Sequence, residues 1–196
     1  MSRGPDRRAT YDDLLELPEN VVGEILDGEL IVSPRPASPH ALARSAIGGG
    51  LFPPFNRRGG GTGGPGGWWI LDEPELHLHG DVVVPDVAGW RRERMPSLPS
   101  TVAFELPPDW VCEVVSPSTT RIDRKRKMPI YAREQVAHLW LVDPLARTLE
   151  VLRLEGGRWS VLAVHAGDER VRAEPFDAIE LELSSWWAGP EETPAP

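Results

Sequence analysis

The strongest constraint on this chain is a pair of apolar strand patterns that each contain one acidic residue. The first, residues 82–86, ends in Asp86, and the second, residues 110–115, holds Glu113 among valines and a cysteine. Burying a carboxylate among β-branched side chains costs free energy unless it is paired, hydrogen-bonded or bound to a cation. Two such carboxylates on neighbouring strands would form a cluster of oxygen ligands suited to a hard divalent cation such as Mg²⁺.

A strongly basic segment follows the second acidic strand. Residues 121–127 contain five basic side chains in a helical pattern, and they could supply a counter-charge to the carboxylates. Phosphodiester hydrolysis needs an activated water, stabilisation of charge on the phosphate and help for the leaving oxygen, and a carboxylate-bound metal can supply all three. Carboxylates, a metal and a lysine are therefore the parts that this reaction requires.

Composition limits the class of protein. The chain has 196 residues, of which 40% are hydrophobic, and this length suits one full-sized domain better than two. The single cysteine, Cys112, excludes an internal disulfide and is typical of a reducing compartment. No apolar run approaches the roughly 20 residues of a membrane span, and the N-terminus lacks the apolar core of a signal peptide. We therefore expect a soluble, cytoplasmic protein.

The distribution of charge leaves a nucleic-acid partner open. The net charge of −9 counts mildly against such a partner, because non-specific DNA affinity comes from cations that neutralise phosphates. The charge is uneven, however, because Arg91, Arg92 and Arg94 form one basic group and residues 121–127 form another. A local basic strip beside an acidic metal site can bind a nucleic-acid backbone in a protein that is acidic overall.

The order of elements predicts a mixed fold. Helix patterns occur at 11–15, from Ser38 to about Ile47, and in the basic segment. Strand patterns are more numerous and occur at 23–32 (a hairpin), 68–71, 75–79, 81–84, 109–115, 138–142, 148–165 (a second hairpin) and 179–183. The strand–helix–strand order over 109–142 predicts one parallel strand pair with a right-handed crossover. The fold class is α/β or α+β, with a mixed central sheet flanked by helices and an additional C-terminal β-hairpin.

Five residues are candidates for the reaction itself. Asp86 and Glu113 are the expected metal ligands, and the backbone carbonyl of Val114 is a candidate third oxygen ligand. Glu24, in the first hairpin, could hold the metal or one of its waters. Lys127 is the candidate for orienting the attacking water or neutralising the phosphate. The expected cofactor is Mg²⁺ or Mn²⁺.

Six motifs occur in a fixed order along the chain, at 24–30, 38–40, 84–87, 111–119, 123–127 with Tyr131, and 139–144. Together they resemble the Uma-two family within the PD-(D/E)XK restriction-endonuclease-like superfamily. The resemblance covers roughly residues 9–187, and its most specific part is the run Glu-Val-Val-Ser-Pro-Ser-Thr. It implies one restriction-endonuclease-like domain over 9–187, a disordered tail at 1–8, a flexible tail at 188–196, and metal-dependent endonuclease activity on DNA.

The chain departs from the superfamily pattern at the lysine. The usual lysine two residues after the acid is replaced by Val115, and the family resemblance moves the lysine to the next helix, as Lys127. Pro129 lies inside that helix pattern and should kink it near Lys125, which is therefore the alternative to Lys127. The glycine-rich stretch 59–67 replaces part of what is usually a longer helix, and it lacks the setting of a phosphate-binding P-loop.

Several of these residues also have an ordinary structural interpretation. Asp86 could form a turn, and Glu24 and Lys127 could lie on solvated faces. His40 could cap its helix or touch a substrate phosphate. Weaker candidates for substrate contacts lie in the basic segment, at Arg124 and Lys125.

Three functions follow as hypotheses. The leading one is a Mg²⁺- or Mn²⁺-dependent endonuclease that cuts DNA, which would act as a homodimer if two cuts need two centres. The first alternative is a catalytically inactive nuclease fold that binds nucleic acid or a protein partner, which Val115 and the negative net charge favour. The second is a metal-dependent hydrolase of small phosphoesters.

Overall fold

The architecture comes from a computed structural model that describes residues 7–57 and 64–188. The helices are α1 (Tyr11–Leu15), α2 (Ser38–Phe55), α3 (Thr120–Ile122) and α4 (Met128–Arg133), with a π-helical turn at Asp123–Lys127 and a 3₁₀ turn at Leu183–Trp186. The strands are β1 (Val21–Leu26), β2 (Glu29–Pro34), β3 (Trp68–Asp72), β4 (Glu75–Leu78), β5 (Asp81–Val83), β6 (Val87–Arg91), β7 (Ala103–Phe104), β8 (Trp110–Val114), β9 (His138–Asp143), β10 (Thr148–Glu155), β11 (Arg158–Ala166), β12 (Arg170–Val171) and β13 (Leu181–Glu182).

The strands associate into two large sheets and one small pair within the described residues. The five-stranded sheet has the order β2-β1-β5-β4-β7, the six-stranded sheet has the order β11-β10-β9-β8-β6-β3, and β12 pairs with β13. The six-stranded sheet is mixed, because β8 and β9 run parallel while β8 and β6 run antiparallel. The parallel pair confirms the predicted strand–helix–strand unit, and β10 with β11 forms the predicted hairpin. The α+β class with mixed sheets and flanking helices is therefore confirmed.

Helix α2 is longer than the sequence predicted, since it continues past Ile47 to Phe55. Ala43, Ile47, Leu51 and Phe55 recur every four residues and are all buried in the core that covers one face of the six-stranded sheet. Burial of this apolar stripe outweighs the low helix propensity of the glycines and prolines that lie between its members. The predicted end was wrong because tertiary packing, not local propensity, decides where this helix stops.

Three other predictions differ from the structure or lie partly beyond the described residues. The predicted strand 179–183 is shorter in the structure, where only β13 forms. Leu183, the last residue of the predicted strand, is the first residue of the 3₁₀ turn. Residues 58–63 of the glycine-rich segment lie outside the described residues, as do 1–6 and 189–196 of the predicted tails. Within the first tail, Arg7 lies 2.5 Å from the carboxylate of Asp13 and forms an ion pair with it.

The alternation of side chains along β8 places one acidic residue between two apolar cores. Cys112 and Val114 belong to the core beneath α2, whereas Val111 and Val115 belong to the core that includes α4. Because successive side chains on a strand point to opposite faces, Glu113 shares its face with the second pair. The carboxylate therefore points toward the helix that follows β8 in sequence.

The segment 84–86 links the two large sheets, because it leaves β5 in the five-stranded sheet and leads into β6 in the six-stranded sheet. Asp86 therefore lies at the junction of the sheets, beside β8. No helix in the described ranges has both the length and the apolar character needed to cross a membrane.

Candidate active site

Besides Glu73, which pairs with Arg44, four carboxylates and one lysine line a single pocket at the junction of the two sheets, within the part of the chain that is described. They are Glu24 on β1, Asp86 before β6, Glu113 on β8, and Asp123 and Lys127 on the π-helical turn. All except Asp86 are buried, and the Asp86 side chain is 12% exposed. The pocket encloses about 60 Å³. The structure therefore brings together the four residues that the sequence predicted as catalytic and adds Asp123 to them.

Lys127, rather than Lys125, reaches this pocket. Its Nζ lies 2.8 Å from Oε1 of Glu113 and 3.1 Å from Oε1 of Glu24, and it donates a hydrogen bond of 3.0 Å to the carbonyl of Val84. Lys125 is exposed. The ammonium group therefore links strand β1, strand β8 and the segment between the two sheets.

The π-helical turn is the structural counterpart of the predicted kink. The N–H of Met128 donates to the carbonyl of Asp123, five residues earlier, instead of four. Pro129 follows directly and has no N–H to donate to the carbonyl of Lys125. A single wide turn absorbs this missing bond, as π-bulges inside helices commonly do at functional sites. The helix therefore continues through the proline into α4.

Both carboxylate oxygens of Asp86 have a defined partner. Oδ1 lies 2.6 Å from Nε2 of His40, and Oδ2 accepts a hydrogen bond of 2.8 Å from the N–H of Val114. His40 lies in the first turn of α2, whose N-cap is Ala37, so it contacts Asp86 and does not cap its own helix. Asp86 is thus fixed between α2 and β8.

Glu24 fixes the segment that carries Asp86. Its Oε1 accepts a hydrogen bond of 2.8 Å from the N–H of Val84, and Lys127 donates a hydrogen bond to the carbonyl of the same residue. Both backbone groups of Val84 are therefore held by charged side chains of the pocket. The interpretation of Glu24 as a solvated hairpin residue is wrong, because it is 6% exposed and paired with Lys127.

Sequence reasoning gave no role to Glu73, which lines the pocket, nor to two residues near Lys127, namely Asp123 and Tyr131. The hydroxyl of Tyr131 donates a hydrogen bond of 2.5 Å to Oε1 of Glu113, and Asp123 lines the pocket beside Lys127. The spacing of Asp123, Lys127 and Tyr131 is four residues in each step, which places all three on one helix face. That spacing was visible in the sequence and could have identified both.

Burial and the neighbouring charges shift the pKa values of the titratable groups in the pocket. Burial raises the pKa of Glu113 well above its ordinary value, with Lys127 opposing this shift, and burial raises the pKa of Asp123 to about 6. Burial alone would lower the pKa of Lys127, but Glu113, Glu24 and Asp123 outweigh it and raise that pKa. All three pKa values therefore rise, mainly through burial for the two carboxyl groups and through the neighbouring carboxylates for the lysine. Burial and Glu113 also raise the pKa of Tyr131, which therefore keeps its proton.

The other cations of the basic segment point away from the pocket. Arg124 pairs with Glu150 on β10, and Arg126 pairs with Glu29 on β2. Arg121 and Lys125 are exposed, and neither forms an ion pair with the described residues. The predicted contact of Arg124 with substrate therefore competes with an existing ion pair, whereas the charge of Lys125 is available to solvent.

The donor set of the pocket fits a small divalent cation. Within residues 7–57 and 64–188 no three His, Cys, Asp or Glu side chains are arranged as a complete metal-binding group. Mg²⁺ does not require one, because it is usually held by one or two carboxylates and keeps several waters. Asp86 and Glu113 supply two carboxylates, Val114 also lines the pocket, and the excess negative charge favours a cation.

The chain is similar to known proteins in family pattern and in structure. The Uma2 family, described as "Putative restriction endonuclease", matches residues 9–184. A crystal structure of a protein from Anabaena variabilis ATCC 29413, described as a putative nuclease belonging to DUF820, is 22% identical in sequence. The match covers 91% of this chain and 98% of that chain, with a TM-score of 0.71. A search of curated protein sequences gives no match. The structural likeness shows a shared fold, and the family match over most of the chain shows that this chain belongs to the Uma2 family of restriction-endonuclease-like proteins.

Proposed function

We propose that the protein is a divalent-metal-dependent endonuclease that hydrolyses phosphodiester bonds in DNA. The observation that carries the proposal is the convergence of Asp86, Glu113 and Lys127 on one pocket between the sheets. Two carboxylates and an ammonium at this spacing match the requirements of phosphodiester hydrolysis. Membership of a family described as "Putative restriction endonuclease" supports the nuclease class.

Each residue of the pocket has a role in this proposal. Asp86 and Glu113 would hold Mg²⁺ or Mn²⁺, with the backbone carbonyl of Val114 as a further ligand. The bound ion supplies an activated water and stabilises charge on the phosphate. Lys127 would orient that water or neutralise the phosphate, and Glu24 holds Lys127 in place. On the opposite side, His40 orients the carboxylate of Asp86.

Metal removal tests the proposal directly. The protein with Mg²⁺ or Mn²⁺ should cleave supercoiled plasmid or single-stranded DNA, and an excess of EDTA should abolish cleavage, because in this mechanism the bound ion activates the water and stabilises charge on the phosphate. Agarose gels report nicked and linear products. Direct formation of linear product would indicate two centres acting together, as in the homodimer considered above, whereas accumulation of nicked circles would indicate one centre per duplex.

Other outcomes of that experiment favour the alternatives. Cleavage that continues unchanged in EDTA contradicts the metal-dependent mechanism. Binding of DNA without cleavage in either ion favours a non-cutting binding module. Faster hydrolysis of a chromogenic phosphodiester than of DNA favours a small-phosphoester hydrolase, and preferential cleavage of RNA reassigns the substrate.

The exposed cations of the basic segment are proposed to contact the DNA backbone. Lys125→Ala and Arg121→Ala should each raise KM for DNA and leave kcat unchanged, because both side chains are exposed and unpaired within the described residues. Each change should reduce the slope of log KM against log salt by about 1, as expected for the loss of one phosphate contact. Steady-state rates between low and physiological salt measure both quantities.

Arg124→Ala is the matched control for this prediction, because the same segment loses a cation that is already paired with Glu150. We expect a smaller change in KM and in the salt slope for this variant. Equal effects of all three substitutions, or an unchanged salt slope in the first two, would contradict specific backbone contacts by Arg121 and Lys125.

A further inference from the structure

The two oxygens of the Glu113 carboxylate have different surroundings. Oε1 accepts a hydrogen bond from the hydroxyl of Tyr131, at 2.5 Å, and lies 2.8 Å from Nζ of Lys127. No hydrogen bond from the described residues reaches Oε2, although Glu113 lines the pocket. One oxygen is therefore held by two donors, and the other is available to a ligand.

The hydroxyl of Tyr131 needs an explanation, because its ring is completely buried among apolar side chains. It packs in the core with Ile130, Val111 and Leu139, and its exposed fraction is 0%. A phenylalanine would fill nearly the same space, whereas an unpaired hydroxyl in such a core costs free energy. Glu113 is the partner that pairs this hydroxyl. The hydroxyl of Tyr131 therefore contributes a hydrogen bond to the carboxylate of Glu113, whereas the packing of the core does not require it.

We propose that Tyr131 is a positioning residue that holds Oε1 of Glu113 and thereby directs Oε2 into the pocket, where it binds the metal ion. This inference rests on the proposed metal-dependent function. The ring is suited to the task, because the surrounding core fixes it and its hydroxyl has little freedom to move. Without that donor, the carboxylate can rotate and share both oxygens with Lys127. Partners that orient a metal ligand in this way commonly contribute 10- to 100-fold to metal affinity.

Tyr131→Phe tests this role, because it removes one oxygen atom and keeps the ring. Calorimetric titration of the variant with Mn²⁺ should give a Kd about tenfold higher than that of the wild type. At a limiting Mn²⁺ concentration the variant should cleave DNA more slowly, and a tenfold higher Mn²⁺ concentration should restore most of the lost rate. KM for DNA should not change, because Tyr131 does not reach the substrate.

Tyr11→Phe is the matched control. The chain has two tyrosines, and Tyr11 also donates its hydroxyl to a glutamate, Glu75, at 2.9 Å. Neither residue lines the pocket of Glu113. This variant should lose a hydrogen bond of the same type, with the Kd for Mn²⁺ and the cleavage rate unchanged. Thermal unfolding of both variants in EDTA gives the purely structural effect of each substitution.

The outcomes separate the inference from the function on which it rests. A Kd for Mn²⁺ that rises in Tyr131→Phe alone, with rate recovery at high Mn²⁺, supports the positioning role. A Kd equal to that of the wild type, or a lost rate that excess Mn²⁺ does not restore, overturns the role and leaves the proposed function standing. A wild-type protein that binds no Mn²⁺ overturns both.

Discussion

Lys127→Met is expected to lower the free energy of unfolding of the metal-free protein by about 3–5 kcal/mol, the usual cost of removing one partner from a buried ion pair. Lys127 is 3% exposed, and its two carboxylate partners, Glu113 and Glu24, are 2% and 6% exposed. Methionine fills a similar volume but leaves these carboxylates beside Asp86 and Asp123 without a cation. The loss therefore comes from uncompensated charge and not from a cavity.

The chain contains only two lysines among its 21 basic residues, and the second provides the matched control. Lys125→Met is the same chemical change two residues away on an exposed side chain, and it should change stability by no more than about 0.5 kcal/mol. Urea unfolding in EDTA, followed by circular dichroism, compares the two variants. A Lys127→Met protein within about 1 kcal/mol of the wild type would show that the ion pairs contribute little.

A second substitution identifies the cause of that loss. Adding Glu113→Gln to Lys127→Met removes one of the carboxylate charges that lost its cation. The double variant should therefore be more stable than Lys127→Met alone. Mn²⁺ should also stabilise Lys127→Met, because a bound cation replaces part of the missing charge. If neither Glu113→Gln nor Mn²⁺ restores stability, the defect lies in packing rather than in charge.

Asp86→Asn and Glu113→Gln should each lower kcat for DNA cleavage by at least about a thousandfold, or about 4 kcal/mol in transition-state stabilisation. Both substitutions preserve the size of the side chain and remove the negative charge that would hold the ion. Initial rates with saturating Mn²⁺ measure the effect, and calorimetry should show weaker Mn²⁺ binding in both variants. Retention of more than a tenth of the wild-type kcat by both variants would contradict their proposed role.

The controls for this pair are buried acidic residues outside the pocket. Asp109 is 8% exposed and pairs with Arg94, and Glu134 is 8% exposed and pairs with Arg133. Asp109→Asn and Glu134→Gln lose a charge of the same kind, but neither residue lines the pocket. Their cleavage rates should therefore stay within about twofold of the wild type, as for substitutions that leave the transition state untouched.

Glu113→Gln should also have an effect on stability that is opposite to its effect on activity. Burial raises the pKa of Glu113 well above its ordinary value, so its charged form at neutral pH costs the metal-free fold some stability. Lys127 keeps Glu24 as a charged partner in this variant, so glutamine removes that cost without leaving an unpaired ammonium, and the free energy of unfolding in EDTA should rise. A variant that is more stable and inactive is the behaviour expected of a residue kept for function.

The parts of the site that were predictable lie in local sequence patterns. Asp86 and Glu113 stood out because a carboxylate inside a run of β-branched residues is costly unless it has a partner. The parallel pairing of β8 and β9 followed from the strand–helix–strand order, because a connection that contains a helix usually joins two parallel strands. Both inferences need only residues that are close together in the chain.

The family resemblance favoured Lys127 over Lys125, but no local pattern in the sequence showed which of the two side chains reaches the carboxylates. Pro129 signalled a disturbance of the helix, but the outcome depended on a π-helical turn, whose wide hydrogen bond compensates for the missing N–H. In the sequence, Arg124 was as good a candidate for substrate contact as Lys125. In the structure, Arg124 forms an ion pair with Glu150 on β10. Likewise, α2 extends beyond its predicted end, because Leu51 and Phe55 pack against the six-stranded sheet.

The amino-acid order by itself determined which side chains carry chemistry and which strands carry them, since periodicity and the cost of buried charge act over a few residues. Only the tertiary structure decided which oxygen of Glu113 is held by Tyr131, which lysine enters the pocket, and that His40 meets Asp86. These contacts join residues from different sheets and helices. Their geometry is set by how the apolar faces of those elements pack, and no local pattern encodes that packing.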